Sequence, residues 1–102
     1  MQLKKQAPRA AHEAAEALAI QAFTYIAGDP ERLGRFLATT GVGPAEIRAA
    51  SAEPGFLRGL LEYLVSDEAL LTGFAAEAGF RPEDPVKALV VLGGSHWERD
   101  VP

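Results

Sequence analysis

The stretch from Pro54 to Phe80, PGFLRGLLEYLVSDEALLTGFAAEAGF, constrains the fold more than any other part of the chain. It holds two amphipathic helical segments in tandem. Phe56, Leu57, Leu60, Leu61 and Leu64 recur at three-and-four spacing, and Leu70, Leu71, Phe74, Ala75 and Ala78 do the same. Ser66 stands between them, where it stops one helix and its hydroxyl can cap the next. These apolar residues are the densest in the sequence and are expected at the centre of the core.

A chain of 102 residues holds one hydrophobic core and not two. Its apolar content of 48% is rich in Ala and Leu, which favour helix, whereas Val, Ile and Thr are few and scattered. No segment alternates apolar and polar residues for the length of a strand. The expectation is all-α: a compact orthogonal bundle of about five to six short helices, a single domain over 1–102. Its ordered core should span about 8–93, with 1–7 and 95–102 as loose tails lacking capping residues. Trp97 is the one tail residue large enough to pin that end down.

In chain order, Pro8 suits the first turn of a helix that runs to Ala27, with Gly28 as a left-handed stop. Asp29-Pro30-Glu31 starts another helix at once, carrying Leu33, Phe36 and Leu37 inward and stopping at Gly41 with Val42 folded back. Pro44 begins a short helix anchored by Ile47. After the central pair, Gly79-Phe80 repeats the stop, and a last helix runs from Pro82 or Pro85 to Leu92 before Gly93-Gly94.

A shift of 38 positions sets Tyr25 on Tyr63, Asp29 on Asp67, Leu33 on Leu71, Phe36 on Phe74, Gly41 on Gly79 and Pro44 on Pro82. The shared unit is helix, acidic cap, helix, Gly-apolar-x-Pro, helix. Shared capping grammar accounts for Asp, Gly and Pro. The Tyr, Leu and Phe in one register point further, to a pseudo-duplicated three-helix unit whose copies bury their apolar faces against each other.

The absence of Cys excludes disulfides, thiolate zinc sites and thiol catalysis. Ala10 to Ile26 is broken by Glu13, Glu16 and Gln21, so it makes neither a signal core nor a membrane span, and the cytoplasm is the expected compartment. A net charge of −4 weighs against a general nucleic-acid binder. The sharpest motif is TGVGPAEIRAA, Thr40 to Ala50, which resembles the loop and second helix of a helix-hairpin-helix, where backbone N–H groups hold a DNA phosphate. Ala78 to Leu89 is its degraded second copy. On that reading Gly41 and Gly43 form the turn, and Arg35, Arg48, Arg81 and Lys87 supply phosphate or partner contacts. Against it, Thr39-Thr40 replaces the usual Leu-Pro, Arg81 stands where Gly is needed, and Glu46, Glu83 and Asp84 crowd the anion site.

Leu57 to Leu61 has the form of an LxxLL box, but its leucines are needed to close the core. His12 and Glu16 have the i, i+4 spacing of metal ligands, with no third ligand to complete a site. No carboxylate pair, P-loop or nucleophile elbow appears, so neither enzyme chemistry nor a cofactor is expected.

Two motif-bearing stretches, DPERLGRFLATTGVGPAEIRA and PGFLRGLLEYLVSDEALLTGFAAEAG, resemble the small alphaproteobacterial domain-of-unknown-function family numbered 3572. The likeness covers about Ala14 to Leu92. It implies a soluble, all-helical bacterial protein with no assigned activity, cofactor or catalytic residue. The expected function is therefore that of a protein-interaction or regulatory module with an unnamed protein partner. The alternative is a helix-hairpin-helix-like nucleic-acid binder. Oligomeric state is not legible in the sequence.

Overall fold

In a computed structural model, the backbone is described for residues 2–53 and 55–100, and side chains for residues 9–53 and 55–93. Six α-helices and one short 3₁₀ turn, with no strand among the described residues, form the expected helical bundle. The helices are α1 (Gln2–Ala27), α2 (Pro30–Thr40), α3 (Ile47–Ser51), α4 (Phe56–Ser66), α5 (Glu68–Ala78) and α6 (Glu83–Asp100), and the 3₁₀ turn is Pro44–Glu46. None of the described helices is long and apolar enough to cross a membrane.

The centre lies where the sequence places it. Leu60, Leu61 and Leu64 of α4 and Phe74 of α5 are buried, joined by Phe36 of α2 and by Ala15, Leu18, Ala19, Ala22 and Ile26 of α1. Alanines on the inner stripe of α1 add little bulk, so α4 and α6 pack closely against it. Leu57 packs on this core while Leu60 and Leu61 lie within it, so the LxxLL pattern is a packing stripe.

The two halves make the same hydrogen bonds at the same offset. The Asp29 carboxylate accepts from Arg32 N at 3.0 Å, and the Asp67 carboxylate accepts from Leu70 N at 3.1 Å. Gly41 and Gly79 both adopt left-handed backbone, φ 79° and 83°, and donate to Leu37 O and Ala75 O. A side chain at either position would be strained. The aromatic rings cross over between units. Tyr63 of the second meets Phe36 of the first at 5.2 Å, and Tyr25 of the first meets Phe74 of the second at 5.7 Å.

Four local expectations are corrected. Asp67, not Ser66, caps α5, while the Ser66 hydroxyl donates back to Tyr63 O at 2.7 Å. Gly28 is not left-handed, because Asp29 takes extended backbone, φ −130°, and turns the chain as the cap of α2. α1 begins at Gln2, ahead of Pro8, through a stretch of good helix formers. α6 passes through Gly93-Gly94 to Asp100. Gly in a helix costs only about 1 kcal/mol relative to Ala, and a side chain at Gly93 would touch the Arg58 stem of α4. Of the segments expected as loose tails, 2–7 and 95–100 have helical backbone, and the Trp97 side chain lies outside the described residues.

Phe36 and Phe74 are 2% and 1% exposed, so truncating either to Ala should cost about 3–5 kcal/mol, most of the stability of a small domain. Denaturant melts of the two variants measure this. A loss below about 1 kcal/mol at either site would contradict the reciprocal core.

Candidate functional site

Both Gly-apolar-x-Pro turns are filled by the protein's own carboxylates. Gly43 N–H donates to Glu46 Oε1 at 3.3 Å, and Glu46 N–H donates to Gly43 O at 2.9 Å. At the equivalent turn Arg81 N–H donates to Asp84 Oδ2 at 2.9 Å, and Asp84 N–H donates to Arg81 O at 3.0 Å. These amides are the donors a helix-hairpin-helix offers to phosphate. A resident carboxylate satisfies the Gly43 and Arg81 amides and repels a second anion.

The proposed phosphate-contact cations face separate neighbours. Arg35, on α2, bears on the Tyr63 hydroxyl. Arg48 is exposed on α3, and its carbonyl accepts from Ser51. Arg81 pairs with Glu83 at 3.5 Å. Lys87 lines a shallow groove between α1 and α6 with Asp84 and Phe80. Gly41 is a helix stop with open space around it. His12 meets Glu16 at 3.3 Å on an exposed face, and no group of three His, Cys, Asp or Glu among the described residues is placed to hold a metal.

Tyr63 titrates above its ordinary value of 10.0, raised first by burial and then by the Asp67 carboxylate, with the Arg35 guanidinium pulling the other way. Since the folded-state value is the higher one, the associated stability is present below pH 10 and is lost as pH rises through the folded value. In a Tyr25→Phe background, Arg35→Gln should raise the phenolate titration further. An unmoved curve would mean that the guanidinium does not act on that hydroxyl.

The sequence offered no sign of one open groove. A groove of about 390 Å³ opens between the C-terminal half of α1, the start of α2 and the end of α5. Ile20, Tyr25, Phe74 and Ala78 supply its apolar lining, and Arg32 and Glu77 its charges. The Tyr25 hydroxyl sits where a side chain on Gly73 would collide with it, at 2.7 Å. Arg32 donates from Nε and Nη2 to Tyr25 O at 3.2 and 3.1 Å, and its guanidinium lies 3.9 Å from the Tyr25 ring centroid. The clamp fixes α2 to α1 and holds a flat cation at the groove. Among the described residues neither Arg32 nor Glu77 has an ion-pair partner, and they do not reach each other. Ile20 is 54% exposed.

A helical domain with two self-capped turns and an open apolar groove bearing both charge signs is the class these features define. The chain belongs to the family described as "Protein of unknown function (DUF3572)", whose model matches residues 12–95. Searches of curated proteins and of solved structures found no match to it.

The occupied turns lead to a direct expectation. Duplex DNA titrated at about 50 mM salt should show no salt-sensitive affinity, for wild type or for Arg48→Glu. Micromolar binding abolished by Arg48→Glu, with a slope against salt flattened by about one unit per lost contact, would restore the phosphate reading.

Proposed function

We propose that this domain is a protein-interaction module that receives a partner segment in the groove between α1, α2 and α5. The observation that carries the reading is the pairing of an exposed Ile20 with two unpaired opposite charges in one groove. Isolated exposed apolar residues are ordinary, but an apolar hollow with a few convergent polar groups is the usual form of a binding site. An arriving segment would bring an apolar side chain for Ile20 and the half-buried Tyr25 and Ala78, a carboxylate for Arg32 and a cation for Glu77. Arg32 already spends two donors on Tyr25 O and keeps the rest of its fork for a ligand.

Catalysis is not part of the proposal. The carboxylates Asp29, Glu46, Asp67 and Asp84 act as caps, which accounts for their positions without acid–base work. A regulatory role would operate through the docked partner. On the family resemblance, the compartment we propose is the bacterial cytoplasm.

A photo-crosslinking amino acid placed at position 20, and in a control at position 48, tests this in cells. Protein adducts should form at 20 and be lost with Arg32→Glu in the same chain. Adducts at 48 alone would move the interaction to the turn that precedes α3.

A further inference from the structure

We infer that the groove receives the outer face of α6 from a second copy of this chain, so that copies associate head to tail. The inference rests on the docking reading above and names its partner. Three large apolar side chains are exposed among the described residues: Ile20 at 54%, Val86 at 39% and Val90 at 65%. Ile20 lies in the groove. Val86 and Val90 stand one turn apart on the solvent face of α6, opposite the buried Pro85 and Ala88. One contact therefore covers all three.

The charges match as well. The groove presents a guanidinium and a carboxylate that do not pair. The α6 face presents Glu83 and Lys87, also one turn apart, beside the two valines. With Val86 and Val90 laid over Ile20, the docked face would offer Glu83 to Arg32 and Lys87 to Glu77. Glu83 gives up little, since its existing contact with Arg81 is 3.5 Å long and both side chains are more than half exposed. Knob and groove are different surfaces, so the contact is heterologous and each copy keeps one free end. A contact below ~1,200 Å² is weak, which places assembly at high protein concentration.

Sedimentation of wild type, Ile20→Glu, Val90→Glu and their equimolar mixture, from about 10 μM to about 1 mM, tests the inference. Wild type should grow beyond a dimer as concentration rises. Each variant alone should stay monomeric with an unchanged thermal melt, because both positions are exposed. The mixture should recover a dimer and nothing larger, formed by the intact α6 face of Ile20→Glu in the intact groove of Val90→Glu. A wild type that stays monomeric overturns the inference, as does a single variant that associates like wild type or a mixture that gains no dimer. If wild type is monomeric while position 20 still crosslinks a different protein, self-docking fails and the docking reading stands. If position 20 crosslinks nothing as well, both fail.

Discussion

The bundle depends on an exchange of aromatic rings between its two units. Phe36 lies on a helix of the first unit but meets Tyr63 of the second edge to face, and Phe74 of the second packs at a tilt against Tyr25 of the first. Each contact contributes about 0.5–1.5 kcal/mol beyond the area it buries. α2 and α5 are eleven residues each, too short to persist alone in water. Neither unit closes a core without a ring from the other, so the chain folds as one cooperative domain, although its sequence reads as two related pieces.

The carboxylate caps serve this architecture and also restrict what the surface can do. Asp29 and Asp67 start α2 and α5, while Glu46 and Asp84 close the turns that follow. Each satisfies a backbone donor that would otherwise seek an anion, and each adds negative charge at the positive end of a helix. The turns most like a phosphate cradle in sequence are the turns where a phosphate meets a resident carboxylate. The same residues that make the fold legible thus argue against nucleic acid.

What could be read from the sequence was what short-range chemistry decides. Asp29 with Pro30, Gly41 and Gly79 act within a few residues, and all three were legible. Ser66 and Asp67 are adjacent residues of similar capping strength, and only the offset linking Asp29 to Asp67 distinguished them in favour of the residue that caps α5. Gly93-Gly94 looked like a stop because glycine is a poor helix former. The helix runs on, with Arg58 of α4 lying against the space a side chain at Gly93 would fill. The groove was illegible for a related reason: Ile20, Arg32 and Glu77 lie on three helices, and no spacing along the chain joins them.

The groove also shows where the two units part company. Carried across by the same offset, Ile20 becomes Arg58, Arg32 becomes Leu70, Glu77 becomes Thr39 and Ala78 becomes Thr40. Gly73, whose missing side chain admits the Tyr25 hydroxyl, becomes Arg35, which bears on the Tyr63 hydroxyl instead. Core positions such as Ala22, Ile26 and Phe36 stay apolar under the shift, as Leu60, Leu64 and Phe74, since both copies fill the same shared interior. Surface positions are free to differ, and here they differ together. The hollow formed by α1 and α2 of the first unit and α5 of the second carries a cation and a carboxylate, and the positions equivalent to it hold Arg58, Leu70, Thr39 and Thr40. Shared packing explains the symmetry of the interior but not this concentration of differences at one hollow. The binding role proposed for this hollow and not for its pseudo-symmetric twin would account for both, because a ligand selects the side chains it touches and leaves the twin site unconstrained.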